Sequence, residues 1–209
     1  MTLSGARALL VAGLLALIVV ARSAGGAEPV IVVLGDSLTA GFGITPDEAF
    51  PAVLEQKLRR AGYHYRVVNA GVSGDTTAAG LRRVDWVLRS QPAIAIVALG
   101  ANDGLRHQNV TAMRDNLIEI VRRLRAAGAT VLLTGMRVPS NYGPEYTRAF
   151  AAVFSDVARA TRVPLAPFLL DGVAGEARLN QPDGIHPTAE AQAKMLDTVW
   201  KSLLPLLRR

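Results

Sequence analysis

A serine, a histidine and an aspartate in this chain have the types and spacing that nucleophilic catalysis requires. Ser37 follows the Gly-Asp turn at 35–36, and Asp183 and His186 lie three residues apart in the segment 183–187. A serine hydroxyl becomes nucleophilic near neutral pH only when a base takes its proton, and the base needs an acceptor that orients it. The spacing lets the Asp183 carboxylate reach Nδ1 of His186, which leaves Nε2 free to take the proton of Ser37.

Two other polar segments offer donors for the oxyanion that such an attack creates. Gly74 provides a backbone N–H with no side chain in the way, Asn102 provides a side-chain amide, and the N–H of Ser37 itself is the third donor. Gly71 is the alternative to Gly74, although it lies closer to the preceding predicted strand. Each of these residues alone is typical of an ordinary turn or helix cap, so the hypothesis depends on their combination.

Five short apolar segments predict the strands that must position these residues. They span residues 30–34, 65–68, 93–99, 130–134 and 163–166. The first and third are apolar on both faces, which is typical of buried parallel strands.

Amphipathic stripes between these strands predict helices. Four helices are marked by the apolar sets Phe50, Val53, Leu54 and Leu58; Leu81, Val84 and Leu88; Met113, Leu117, Ile120, Val121 and Leu124; and Tyr146, Phe150, Val153, Phe154 and Val157. A last helix is predicted to start at Pro187 and to carry the apolar residues from Leu196 to Leu207. The alternation predicts a three-layer αβα domain with a five-stranded parallel sheet. Sites in such sheets form beyond the carboxyl ends of the strands, where the polar segments 35–37, 72–75 and 100–103 follow predicted strands.

Composition restricts the chemistry further. The 209 residues are half hydrophobic and contain no cysteine, so disulfides, a thiolate nucleophile and zinc-thiolate sites are excluded. The net charge of +6 is spread along the chain without a dense basic block, which favours a solvated basic surface and no nucleic-acid partner.

The first 27 residues are typical of an export signal. Arg7 precedes an apolar run at 8–21, and small residues lead up to Ala27. A run of about 14 residues is too short for a membrane-spanning helix, which needs about 20. We expect cleavage after Ala27, with cleavage after Gly25 or an uncleaved anchor as alternatives, and a single catalytic domain over 28–209.

Four sequence blocks resemble those of the GDSL (SGNH) hydrolases, in particular small periplasmic esterases with thioesterase, lysophospholipase and arylesterase activity. The blocks are 35–41 (GDSLTAG), 69–76 (NAGVSGDT), 100–104 (GANDG) and 183–187 (DGIHP). The resemblance implies a flavodoxin-like fold and a Ser37–His186–Asp183 triad with Ser37, Gly74 and Asn102 as the oxyanion hole. It also implies no cofactor or metal, a periplasmic or secreted location, and small acyl esters or thioesters as substrates. We further expect a monomer that makes transient contact with membrane lipid.

An acyl chain needs an apolar slot beside the nucleophile. The candidate lining residues are Leu105, Asn141, Tyr142 and Phe168, which lie in or near the loops after the third, fourth and fifth predicted strands. Leu105 and Phe168 fit equally well as plain core residues.

Three other functions are weighed against this one. A metallophosphoesterase would use ligands such as Asp36, Asp75, Asp103, Asp183 and His186, but such two-metal sites usually require several histidines, and only three are present in the chain. The second alternative is a non-catalytic flavodoxin-like binding module, but this function would not explain the Asp183–His186 pair. A classical α/β-hydrolase needs a Gly-x-Ser-x-Gly elbow, which the sequence lacks.

Overall fold

The computed structural model describes residues 28–209, so the predicted signal peptide at 1–27 lies outside the described residues. Five strands form one parallel sheet in the order β2-β1-β3-β4-β5. The strands are β1 (Val30–Gly35), β2 (Arg66–Gly71), β3 (Ile94–Ala98), β4 (Thr130–Gly135) and β5 (Leu165–Phe168). The predicted α/β fold with a five-stranded parallel sheet is therefore confirmed.

The helices in chain order are α1 (Ser37–Ala40), α2 (Phe50–Arg60), α3 (Thr77–Arg82), α4 (Val84–Leu88), α5 (Ala101–Leu105), α6 (Val110–Ala126), α7 (Pro144–Thr161) and α8 (Ala191–Leu203). The chain moves from β1 to β2 in one direction across the sheet and then reverses. Because parallel crossovers are right-handed, α2 covers one face of the sheet, while α3, α4, α6 and α7 cover the other. α8 packs against α2 and completes the first layer.

Two predicted helices differ from the structure. The last helix begins at Ala191, because Pro187 instead forms an isolated antiparallel bridge with Asn180. The segment around 81–88 is divided into α3 and α4 at Arg83. Among residues 28–209, no helix combines the length and apolarity that crossing a membrane would need.

Candidate active site

Ser37 is the first residue of α1, directly beyond the carboxyl end of β1. Asp36 caps this helix, since its Oδ1 accepts a hydrogen bond from the Leu38 N–H at 3.0 Å. The Asp36 side chain is fully buried, and its Oδ2 has no hydrogen-bond partner in the described part of the chain. Burial raises the pKa of Asp36 to about 6. Asp36 therefore fixes the turn that presents Ser37.

His186 lies between Ser37 and Asp183. Its Nε2 is 3.0 Å from Ser37 Oγ, and its Nδ1 is 2.6 Å from Asp183 Oδ2. Because an ionised carboxylate only accepts hydrogen bonds, Nδ1 carries the proton and Nε2 is free to accept the serine hydroxyl.

The Asp183 carboxylate is held by the turn that contains it. Its Oδ1 accepts the backbone N–H groups of Ile185 at 2.9 Å and His186 at 3.0 Å. The pKa of Asp183 is lowered to about 2, mainly by the hydrogen bond from the His186 backbone N–H and, to a smaller extent, by the hydrogen bond from the His186 imidazole. Asp183 is therefore ionised at neutral pH and can stabilise a charged imidazole.

Two residues that the sequence analysis did not identify hold the histidine loop against the serine loop. The Gln181 side-chain amide donates to the carbonyl oxygens of Phe42 at 2.7 Å and Pro187 at 3.1 Å, and its backbone N–H donates to the His186 carbonyl at 2.7 Å. The Phe42 ring lies against the imidazole, with ring centroids 4.4 Å apart. No local sequence signal marks either residue, because the Gln181–Phe42 contact joins positions 139 residues apart.

The two candidate oxyanion glycines have different environments. The Gly71 N–H donates to Asn69 Oδ1 at 2.9 Å, and a Cβ at Gly71 would lie 2.7 Å from the Ala40 Cα. Gly71 is therefore required for packing beneath α1. Gly74 has a φ of +85°, which favours glycine, and its N–H has no acceptor among the described residues. Of the two glycines, only Gly74 therefore has an N–H left free to donate, although Gly74 is not among the residues that line the cavity beside Ser37.

Asn102 lies in the first turn of α5, just beyond β3. Its Nδ2 donates one hydrogen bond to the Asp75 carbonyl at 3.0 Å, which fixes the amide and leaves the second N–H available. The sequence predicted Asn102 as a donor, but it did not indicate that the carbonyl of Asp75, the residue after Gly74, holds the Asn102 amide in place.

An ion pair connects the serine and glycine loops. Arg83 Nε donates to Asp75 Oδ2 at 2.6 Å, and Arg83 Nη2 donates to the Gly35 carbonyl at 2.8 Å. The side chains of Arg83 and Asp75 are only 17% and 13% exposed. Arg83 gave no signal in the sequence, since it is a charged residue between the apolar helix positions 81 and 84.

The aspartates that were considered as metal ligands are engaged elsewhere. Asp75 pairs with Arg83, and Asp103 accepts the N–H and hydroxyl of Thr77 at 2.8 and 2.6 Å. Burial raises the pKa of Asp103. Among residues 28–209, no three histidine or carboxylate side chains are grouped as a metal site.

A cavity of about 650 Å³ opens beside Ser37, Asn102 and His186, within the size range of small-molecule sites. Its apolar lining includes Leu38, Leu105, Met136, Val138, Phe168, Leu170 and Ile185. Of the four predicted pocket residues, Leu105 and Phe168 lie on this lining. Asn141 and Tyr142 are not among its lining residues, although the Tyr142 hydroxyl donates to the Leu105 carbonyl at 3.0 Å.

Comparison with known proteins shows the family to which this sequence is similar. The model of the GDSL-like Lipase/Acylhydrolase family matches residues 33–194. Esterase TesA of Pseudomonas aeruginosa is 44% identical over 202 residues, which cover 96% of this chain and 100% of that protein. Thioesterase 1/protease 1/lysophospholipase L1 of Escherichia coli K12 is 39% identical over 87% of this chain and 86% of its own. The crystal structure of the psychrotrophic esterase EstA from Pseudoalteromonas sp., inhibited by monoethylphosphonate, is 34% identical with a TM-score of 0.81, and the match covers 85% of this chain and 98% of EstA.

Proposed function

Because this chain belongs to the GDSL-like lipase/acylhydrolase family and is a carboxylic ester hydrolase, we propose that Ser37, His186 and Asp183 form its catalytic triad. The observation that carries this proposal is the line of short contacts from the serine oxygen through the imidazole to the carboxylate, 3.0 and 2.6 Å long. This line ends at the mouth of an apolar cavity, where an acyl chain can be held.

In the first half of the reaction, Ser37 Oγ forms a bond with the carbonyl carbon while His186 Nε2 takes the hydroxyl proton. The carbonyl oxygen becomes an oxyanion, which receives hydrogen bonds from the N–H groups of Ser37 and Gly74 and from Asn102 Nδ2. The carbon–oxygen or carbon–sulfur bond to the leaving group then breaks. The alcohol or thiol departs with the proton from His186, and the acyl group remains on Ser37.

In the second half, water replaces the leaving group. His186 Nε2 takes a proton from the water as its oxygen bonds to the acyl carbon, and the same three donors hold the oxyanion. The bond to Ser37 Oγ breaks, and His186 returns the proton to the serine. The ionised Asp183 keeps the imidazole oriented through both halves and stabilises its positive charge.

We propose lysophospholipids, aryl esters and acyl thioesters as the substrate class. All three present a carbonyl attached to an apolar acyl or aryl group, which suits the cavity lining. The sequence of residues 1–27 supports export with cleavage near Ala27, and CoA is cytoplasmic, so lipid and xenobiotic esters of the cell envelope fit better than acyl-CoA. We propose that the exported protein acts as a monomer with transient contact to lipid.

The test of the triad is the Ser37→Ala variant. We expect normal folding by circular dichroism and a loss of p-nitrophenyl ester hydrolysis of several orders of magnitude. Ser155→Ala, which removes a hydroxyl from the exposed side of α7, is the matched control and should keep the wild-type rate. A Ser37→Ala enzyme with wild-type turnover would refute the assignment.

Covalent labelling gives an independent test. An organophosphonate should add its mass to the peptide that contains Ser37, as suits a chain similar to an esterase crystallised with monoethylphosphonate. Labelling of a different serine would identify another nucleophile.

A substrate panel tests the cavity. We expect kcat/KM to rise with acyl length in the wild type and to fall for long chains in Leu105→Trp, because the larger side chain fills the apolar lining. Equal losses for acetyl and long-chain esters would show that Leu105 is not part of the acyl slot. The panel should include lysophosphatidylcholine and acyl-CoA, which separate the proposed natural classes.

A further inference from the structure

Large apolar side chains are unevenly distributed on the surface of this protein. Among residues 28–209, five are exposed: Phe42, Val72, Trp86, Ile185 and Leu204. Three of these five lie on the loops of the candidate active site. We call Phe42, Val72 and Ile185, which are 49%, 45% and 46% exposed, the apolar rim.

One residue of the apolar rim lines the cavity, and the other two lie on loops bonded to the Ser37 turn. Phe42 follows α1 and lies against the His186 ring, and Ile185 immediately precedes His186 and contributes to the cavity lining. Val72 follows β2, at the point where the chain passes beneath α1 on its way to Gly74. All three residues therefore lie at the carboxyl edge of the sheet, next to Ser37.

Packing into the hydrophobic core does not account for the apolar rim, although the Phe42 ring contacts His186. None of its three residues belongs to the hydrophobic core or to the partly buried residues that pack against it, whereas Leu38, Met136 and Phe168 on the cavity lining do. Exposed apolar surface has a free-energy cost in water and marks a binding face when several such side chains lie together.

Two arginines supply positive charge at the same opening. Arg106 Nη2 would lie 3.6 Å from a Cβ at Gly74, and the Arg137 guanidinium lies 5.3 Å from the Phe168 ring centroid on the cavity lining. Neither arginine forms an ion pair with a carboxylate of residues 28–209. Apolar groups flanked by free cations are the combination that binds an anionic lipid surface.

We infer that the apolar rim docks onto an anionic phospholipid surface, with Arg106 and Arg137 against the lipid phosphates. In this orientation the cavity faces the lipid, so an ester-linked acyl chain enters the site without first crossing water. The inference rests on the proposed esterase function for its purpose, but the binding itself requires no turnover.

The experiment measures partition onto vesicles in the Ser37→Ala background, so that no lipid is hydrolysed. The parent protein should co-sediment with phosphatidylglycerol/phosphatidylcholine vesicles, and more weakly with pure phosphatidylcholine. Adding Phe42→Ser and Val72→Ser should reduce partition by about 10-fold or more, since two half-exposed apolar side chains are lost. The matched control adds Trp86→Ser and Leu204→Ser, which are equally exposed but lie away from the site, and should leave partition unchanged.

The charge contribution is tested separately. Arg106→Gln with Arg137→Gln should together reduce the preference for phosphatidylglycerol by about 25-fold, since each cation near an anionic surface contributes about 1 kcal/mol, a fivefold change. Arg148→Gln, an exposed arginine on α7, is the control.

Three results would overturn the docking surface: a parent protein that does not bind vesicles, apolar-rim variants that partition like the parent, or a Trp86/Leu204 control that loses as much. If Phe42→Ser with Val72→Ser, made with Ser37 intact, lost long-chain turnover while the Ser37→Ala form kept its partition, the apolar rim would contact only the substrate and the docking surface would be refuted. A Ser37→Ala protein that remained active would refute the triad and leave the vesicle result unaffected.

Discussion

Replacing Arg83 with methionine should damage catalysis although Arg83 does not touch the proposed substrate position. Its guanidinium joins the Gly35 carbonyl, two residues before Ser37, to the carboxylate of Asp75, next to Gly74. The carbonyl of Asp75 in turn accepts the amide of Asn102. The three loops that carry the proposed oxyanion donors therefore depend on one ion pair.

The size of the effect follows from the burial of this pair. Breaking a buried ion pair costs about 3–5 kcal/mol because the remaining charge is left without a partner. Here the side chains of Arg83 and Asp75 remain 17% and 13% exposed, and Arg83 Nη1 is buried without a hydrogen-bond partner in the described chain. The pair therefore stabilises the folded state by less than this range. We expect Arg83→Met to lower the free energy of unfolding by about 2 kcal/mol. Displacement of one oxyanion donor should lower kcat by about 10²-fold, the lower end of the usual loss.

The assay compares kcat and KM on a p-nitrophenyl ester with the free energy of unfolding in urea. KM should change little, since neither Arg83 nor Asp75 lines the cavity. Arg83→Lys keeps the charge but not the two-pronged geometry, so its kcat should lie between those of the wild type and Arg83→Met. Arg122→Met breaks an exposed pair with Glu119 and should change neither quantity measurably. A destabilised Arg83→Met enzyme with wild-type kcat at a temperature where it is folded would refute the reasoning.

Other residues of the site give predictions with separate measurements. The raised pKa of Asp36 stabilises the folded protein by about 3 kcal/mol below pH 3.8, its ordinary pKa, and this stabilisation is lost as pH rises through about 6. Asp36→Asn keeps the helix cap but carries no charge, so it should raise Tm at pH 8 and have little effect at pH 4 in thermal denaturation. Gly74→Ala should cost about 1–2 kcal/mol through its positive φ, whereas Gly71→Ala should lose more because its Cβ meets the backbone of α1; urea unfolding compares them. Asp183→Asn should lower kcat by about 10⁴-fold, and because the pKa of Asp183 is about 2, an acid limb of wild-type kcat/KM above pH 4 belongs to another group.

The sequence was sufficient for the fold because burial leaves a local pattern. β1 is apolar at every position and buried at every position, so the run itself identified a central parallel strand. β2 continues to Gly71, beyond the predicted end at 68, because hydrogen bonds to β1 extend it through residues with little strand propensity. The last helix starts late for a similar reason, since the bridge between Asn180 and Pro187 overrides the preference of proline for a first helical turn.

Ser37, Gly74 and Asn102 could be predicted from their places after predicted strands and from the family blocks, but a specific side-chain contact could be predicted only where it is local. Asp183 and His186 lie three residues apart, and one turn determines their contact. The contact between Arg83 and Gly35 joins positions 48 residues apart, and that between Gln181 and Phe42 joins positions 139 apart. Periodicity in a single sequence indicates which side chains are buried but not which distant partners they meet, so these positioning contacts could not be predicted.

The register of the sheet explains how the separate segments meet. Gly35 lies opposite Gly71 on one side and Ala98 on the other, so β1, β2 and β3 reach the site edge at the same level. Each of these strands is followed within a few residues by a residue of the proposed site. The loop that carries His186 precedes α8 and reaches Ser37 from that side of the sheet. A slip of one residue between β1 and β2 would turn every buried side chain of one strand to the opposite face. The register between β1 and β2 therefore sets where the Ser37 and Gly74 loops begin, and Arg83 then connects loops whose starting points the sheet has already aligned.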